Sequence, residues 1–289
     1  MADLRYESPE TIEAAVALLA GEGRTARVFA GGTDLIVQMN EGLVEPSLLV
    51  DIKKIAETRR IIIEPDQIRI GAAVTGAELG ENQQLQAMWP GVVEAVELIG
   101  SAQVQGRATL GGNLCNASPA ADSVPAMMAA GARVVIAGPA GTRETPIGEI
   151  PTGPGRTSLA PGEFVVAFLL PKPPARSGDA YLRFIPRTEM DIAVVGAGIS
   201  IVLNSDGTCA AARMVLGAVA PTARLVEAAP EILVGNRLDE PVLQALAGAA
   251  RATCSPINDK RGTIEFRTQV AGVLACRVAK IAWQRAEKN

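Results

Sequence analysis

Two glycine pairs carry the residues best suited to holding a ligand. Residues 109–122 read Thr-Leu-Gly-Gly-Asn-Leu-Cys-Asn-Ala-Ser-Pro-Ala-Ala-Asp, and residues 28–35 read Val-Phe-Ala-Gly-Gly-Thr-Asp-Leu. Each joins adjacent glycines to a threonine and an aspartate, with little bulk. Such a segment makes a poor core, but it lets backbone N–H groups approach a charged group closely. Taken together the two suggest a diphosphate ligand gripped from two sides. A lone Gly-Gly is usually a turn, and neither segment has the spaced glycines of a dinucleotide fingerprint or a P-loop. The pairing is therefore what points to a ligand. Asp34 and Asp122 are candidates for hydrogen-bonding a sugar hydroxyl, with loop capping an equal alternative.

Other chemistry is excluded by composition. The 289 residues include no histidine. That removes serine–histidine triads, histidine general bases and histidine-ligated metals. The cysteines, Cys115, Cys209, Cys254 and Cys276, form no C-x-x-C pair. A zinc ribbon or a locally ligated iron–sulfur cluster is not expected; small buried thiols in a reducing compartment are. A net charge of −4 without a basic run argues against nucleic acid as a partner. The polar N-terminal stretch from Met1 to Glu7 and the absence of a long apolar run predict a cytoplasmic chain with no membrane span. Any redox chemistry here must be carried by a bound cofactor.

The positioning elements follow from pattern. Ser8-Pro9 is expected to open a helix with Ile12, Ala15, Val16 and Leu19 inward and Gly21 and Gly23 at its end. Residues 26–30 predict a strand running straight into Gly31-Gly32, followed by a short helix and a second strand at 48–52. Residues 61–64 and 68–71 read as a hairpin, and Thr75–Glu78 fits a capping box. Pro90 starts a helix carrying Val92, Val93, Val96 and Ile99 on one side, which delivers the chain to Thr109. A helix at 124–130 and strands at 133–137 and 164–170 complete this part. Residues 171–178, with three prolines, form the clearest boundary. Beyond it, strands are expected at 181–185, 193–203 and 212–219, with a hairpin turn at 204–207. Helices follow at 223–234, 240–253 and about 263–285. In the last of these Val270, Val273, Leu274, Val278 and Ile281 make the apolar stripe. No internal repeat is present.

These segments resemble, from end to end, the FAD-binding medium subunit of the molybdenum hydroxylases, the family of xanthine dehydrogenase, aldehyde oxidoreductase and carbon monoxide dehydrogenase. Ala30-Gly31-Gly32-Thr33-Asp34-Leu35 is similar to that family's first flavin loop. Thr109-Leu110-Gly111-Gly112-Asn113, with Ser118-Pro119 and Asp122, is similar to its second. Tyr181-Leu182-Arg183-Phe184, the run Leu216 to Arg224 and the run Pro256 to Gly262 resemble its C-terminal domain. The resemblance implies an α+β fold. A two-part FAD-binding domain of the vanillyl-alcohol-oxidase (PCMH) type would occupy 1–174, with parts at about 1–56 and 57–174. A small α+β domain, an antiparallel sheet with helices, would occupy 179–286. It further implies that Val28, Phe29, Ala30, Gly31, Gly32, Thr33, Asp34 and Leu35, with Thr109, Gly111, Gly112 and Asn113, bind the FAD diphosphate and ribityl chain through backbone amides. Asp122 would hydrogen-bond the sugar-like part, Ile99 would lie near the cofactor, and Val165 would touch the flavin ring through its backbone. Arg183 stands where many relatives carry lysine and would lie near the ring or its phosphates, its planar fork differing from a point ammonium. On the residues alone, Ile99 and Val165 read as core packing.

The implied role is an electron-transfer subunit. A large subunit with a molybdenum–pterin cofactor would oxidise the substrate, a small subunit with 2Fe-2S clusters would relay electrons, and FAD in this chain would pass them to NAD or another acceptor. The assembly would be a dimer of heterotrimers. The four dispersed cysteines do not form the insertion of benzoyl-CoA-type reductases. The Gly-Gly-Thr-Asp form of the first loop and the Asn-Ala-Ser-Pro-Ala-Ala-Asp run lean toward the purine, N-heterocycle and aldehyde enzymes. The alternatives are a single-chain FAD-dependent oxidoreductase on the same fold and a flavin-free assembly subunit.

Overall fold

Short apolar runs punctuated by glycine and proline build, among the described residues, three larger sheets and one two-stranded hairpin. The computed structural model describes residues 4–187 and 190–289; Met1–Asp3, which begin the polar N-terminal stretch, lie outside them. The first sheet is parallel, in the order Arg5–Glu7, Leu48–Asp51, Ala26–Phe29. The helix Ile12–Glu22 crosses over to Ala26–Phe29. Its N-cap is Thr11, whose hydroxyl accepts from the Ala14 N–H at 3.2 Å. Ser8-Pro9 therefore precedes the helix instead of opening it, because Thr11 supplies the side-chain acceptor three residues ahead of a free amide. Ala15 and Leu19 are its buried residues.

The second sheet is antiparallel, in the order Ile61–Ile63, Gln67–Gly71, Phe164–Pro171, Arg133–Gly138, Gly141–Pro146. Its central strand Phe164–Pro171 is buried along all but its last residue. Val165, Phe168 and Leu170 enter a core with the helices Pro90–Glu97 and Ser123–Ala129. Phe164, Val166, Ala167 and Leu169 enter a second core with Ala15, Leu48 and Ile52. Layers on both faces explain why the strand reads as an unbroken apolar run. Thr75 and Glu78 form the expected capping box at the helix Gly76–Gly80.

The third sheet is antiparallel, in the order Ser177–Phe184, Val195–Leu203, Cys209–Gly217, Arg224–Leu225. The helix Ile264–Lys288 lies against it and the helix Glu240–Thr253 packs beside that helix. Two expectations are corrected here. Residues 223–234 are not one helix: Arg224 and Leu225 pair with Leu216 and Val215, and only Ala229–Leu233 is helical. Val273 is exposed, because the helix turns an alanine face to the sheet, with Ala271, Ala275, Ala279 and Ala282 fully buried. Small side chains let the helix backbone come close: a Cβ on Gly178 would lie 2.2 Å from the Ala282 carbonyl oxygen. The architecture is α+β, and no helix among the described residues is long and apolar enough to cross a membrane.

Candidate functional site

A cleft of about 960 Å³ runs between the first and second sheets, and both glycine pairs line it. The first wall begins in the strand Ala26–Phe29. Because side chains alternate along a strand, Val28 and Ala30 line the cleft while Phe29 does not. The Phe29 ring instead sits edge-on to Tyr6, with centroids 6.2 Å apart, and beneath Lys53 Nζ at 4.3 Å. Lys53 also donates to the Ala30 carbonyl at 2.9 Å, fixing the end of the strand. The chain then turns through Gly32 at φ +75°, and Gly31 packs onto the other half of the site. A Cβ on Gly31 would lie 2.2 Å from the Arg107 carbonyl oxygen, so only glycine fits there. Gly31, Gly32, Thr33 and Asp34 all line the cleft, and their backbone N–H groups have no acceptor among the described residues. Four consecutive free amides beside a cavity make an anion-binding concavity. Burial holds the Asp34 carboxyl above the usual carboxylate range.

The second glycine pair is built differently. Thr109 caps the short helix Leu110–Cys115 and accepts from the Gly112 N–H at 3.0 Å. The Gly111 N–H donates to the Ala72 carbonyl at 3.1 Å, and the Asn113 N–H donates to the Thr109 carbonyl at 3.0 Å. The amides of Gly111, Gly112 and Asn113 therefore already have acceptors. Free amides therefore stand on one side of the cleft, at 31–34, and not on both sides as expected. Gly111 is required by close approach, since its Cβ would lie 2.6 Å from the Ala72 oxygen. Asn113 lines the cleft, and its Oδ1 accepts from the Ser123 hydroxyl at 2.6 Å.

Ile99 and Val165 also line the cleft. Val165 sits where the pairing of Phe164–Pro171 with Arg133–Gly138 shifts register, a bulge that re-aims the strand. Asp122 and Arg183 do not line it. Arg183 Nη1 donates to Asp122 Oδ2 at 2.7 Å, and the Tyr181 hydroxyl donates to Asp122 Oδ1 at 2.8 Å. Burial pushes the Asp122 carboxyl up to about 6, against the pull of Arg183 and Tyr181. Several contributors were missed from sequence. Gln38, one turn after Asp34, donates to Asn116 Oδ1 at 2.9 Å and bridges the two walls. The hairpin Pro151–Gly153/Arg156–Thr157 adds Arg156, and the opposite wall adds Arg24. The i, i+4 spacing of Asp34 and Gln38 was a usable signal; nothing local to the hairpin indicated that it folds onto the cleft. Cys115 lines the cleft as a protonated thiol, its pKa pushed up to about 12 by burial.

The shape suits an elongated, diphosphate-bearing ligand: a cradle that a Cβ would fill, free amides at one segment and the apolar residues Ile52, Ala72, Ile99 and Val165 in the same cleft. Comparison with known proteins agrees. Residues 2–173 match the family model described as FAD binding domain in molybdopterin dehydrogenase, and residues 180–282 match CO dehydrogenase flavoprotein C-terminal domain. The carbon monoxide dehydrogenase medium chain of Afipia carboxidovorans is 36% identical over 98% of this chain and 97% of its own. The putative xanthine dehydrogenase FAD-binding subunit of Escherichia coli K12 is 31% identical over 94% of each. In the structure of reconstituted CO dehydrogenase from Oligotropha carboxidovorans, one chain superposes with a TM-score of 0.94 at 35% identity, covering 98% of both.

Proposed function

This chain belongs to the FAD-binding medium subunits of the molybdenum hydroxylase family, and from that premise we propose that it accepts electrons from a partner's 2Fe-2S clusters and delivers them through FAD to NAD or another acceptor. It is an oxidoreductase subunit with its own FAD-binding domain. The observation that carries the site assignment is the run of free amides at Gly31–Asp34 within the cleft, which would take the FAD diphosphate. Gly111 and Gly112 would form the opposing wall. Val28, Ala30, Leu35, Thr109, Asn113, Ile99 and Val165 would line the remainder. When bound, FAD supplies the one- and two-electron chemistry; the chain binds it, orients it and keeps water out.

We read 1–174 as the FAD-binding domain, in parts of about 1–56 and 57–174, and 179–286 as the C-terminal domain, divided at the proline-rich connector. The partners would be a large molybdopterin-binding subunit and a small 2Fe-2S subunit, arranged as a dimer of heterotrimers. The four cysteines are free thiols, which suits the reducing cytoplasm. For the whole enzyme we favour an N-heterocycle, purine or aldehyde substrate, on the Gly-Gly-Thr-Asp form of the first loop. Carbon monoxide is the second reading, favoured by overall identity to a carbon monoxide dehydrogenase medium chain. The test is to purify the native complex through a tag on this chain and list its polypeptides and cofactors. A molybdenum subunit, an iron–sulfur subunit and about one FAD per chain are expected. FAD without partners, in a chain that turns over alone, would support the single-chain oxidoreductase instead.

A further inference from the structure

The run of free amides at Gly31–Asp34 begins where two parallel strands leave the first sheet together. Ala26–Phe29 pairs with Leu48–Asp51, and Phe29 stands opposite Asp51. One chain continues into Ala30-Gly31-Gly32. The other enters the single turn Ile52–Lys54, which Asp51 caps by accepting from the Lys53 N–H at 2.9 Å. Asp51 is buried and also accepts from the Tyr6 hydroxyl. The turn carries Lys53 over the end of the neighbouring strand. Its Nζ donates to the Ala30 carbonyl at 2.9 Å, lies 2.9 Å from Asp51 Oδ1 and stands 4.3 Å from the centre of the Phe29 ring. Three partners match the three donors of an ammonium group. Ile52 lines the cleft; Lys53 does not.

The Ala30 carbonyl and the Gly31 N–H belong to one peptide group. That group is planar and trans, so its carbonyl and its N–H point in opposite directions. A cation on the carbonyl therefore fixes the plane and leaves the Gly31 N–H directed the other way. Gly31 lines the cleft, and this N–H has no acceptor among the described residues. The same contact polarises the peptide group, which makes its N–H a stronger donor. The next residue is braced from the same cluster. Gly32 holds φ +75°, and a Cβ on it would lie 2.6 Å from the Phe29 ring. That ring is bounded by Lys53 and by its edge contact with Tyr6.

We propose that Lys53 is a positioning residue for the diphosphate, acting through the Ala30–Gly31 peptide, which it orients so that the first amide of the anion-binding run faces the ligand. This rests on FAD binding in the cleft. The effect belongs to the diphosphate and not to the flavin ring, because the amide run is the part of the cleft that takes the anion.

The test uses the full chain, stripped of flavin. It is titrated with FAD and riboflavin by fluorescence and with ADP by calorimetry. Lys53→Met keeps the aliphatic stem and removes the ammonium. Affinity for FAD and for ADP is expected to fall by the same factor, about tenfold, the low end of what a charge-assisted hydrogen bond contributes. Riboflavin, which has the ring and no phosphate, should bind as before. Lys53→Arg keeps the cation and should restore most of the loss. Melting curves check folding; should Lys53→Met not fold, Lys53→Gln, which removes the charge and keeps a polar head, is put through the same comparison. Wild-type FAD affinity in the neutral variant would overturn the proposal. So would a fall for FAD without one for ADP, or an equal fall for riboflavin, which a general loosening of the fold would give. A wild-type chain that binds neither FAD nor ADP would instead fail the cleft assignment, so the two failures are told apart by that control.

Discussion

Replacing Gly111 by alanine should weaken FAD binding about 5- to 150-fold. The new Cβ would sit 2.6 Å from the Ala72 carbonyl oxygen, where ordinary contact begins at 3.4 Å, so the backbones must separate by about 0.8 Å, the difference. Separation stretches the Gly111 N–H to Ala72 hydrogen bond, now 3.1 Å, worth about 1 kcal/mol. Overpacking adds about 1–3 kcal/mol. Alanine's better helix propensity returns about 1 kcal/mol, leaving a net of about 1–3 kcal/mol. Without ligand, the strain relaxes by moving the helix Leu110–Cys115 toward the open cleft. Bound FAD must push it back, so the strain is drawn from binding, and each 1.4 kcal/mol is tenfold in Kd. The assay is fluorescence titration of the flavin-free full chain, with thermal melting alongside. Gly21→Ala is the control. Gly21 lies inside the helix Ile12–Glu22 with nothing within 4 Å of a new Cβ, so stability should rise by up to about 1 kcal/mol with Kd unchanged. Gly111→Val should abolish flavin retention while the C-terminal sheet stays folded. Wild-type affinity in Gly111→Ala would refute the wall assigned to this glycine.

Asp179 links the C-terminal strand Ser177–Phe184 to the start of the helix Pro90–Glu97, its Oδ2 accepting from the Val92 N–H at 3.1 Å. Burial pushes its pKa from 3.8 to about 7, against the Gly91 and Val92 amides and Arg285. A folded pKa raised above the unfolded value means stability that is full below about pH 4 and is lost as pH rises through about 7. Asp179→Asn should therefore flatten the melting temperature between pH 4 and 8, gaining at most about 4 kcal/mol at the alkaline end, the rise from 3.8 to about 7 taken at 1.36 kcal/mol per pKa unit. Equal pH dependence in the two proteins would contradict this. At the helix Gly76–Gly80, Thr75→Ala removes a capping box and should cost about 1 kcal/mol in a urea denaturation. Phe168→Ala, at a fully buried position on the central strand, should cost about 3–5 kcal/mol by the same measure.

Local chemistry made much of the fold legible. The capping box at Thr75, the proline start at Pro90, the turn at 204–207 and the strand at 164–170 each depend on residues within one element, and each is present. The glycine pairs were legible for the same reason: no other residue tolerates the approach of Gly31 to Arg107 or of Gly111 to Ala72. Long-range partners were not legible. Whether an amide is free depends on what lies opposite it in space, so two similar Gly-Gly segments gave the same expectation although only the first leaves its amides unpaired. The alanine face of the helix Ile264–Lys288 misled for a related reason, because alanine carries little periodic signal yet permits the closest packing. Tyr181 reads in sequence only as part of the run Tyr181 to Phe184; the surroundings of its hydroxyl are visible only once Gly196 and Asp122 are seen around it.

Where the cofactor lies can be measured directly by irradiating the full chain with a photoreactive FAD analogue bound and sequencing the labelled peptides by mass spectrometry. Labels confined to peptides covering 24–38, 99–116 and 152–165, and displaced by excess FAD, are the predicted result. FAD-displaceable labels found only within 195–289, away from both glycine pairs, would contradict it.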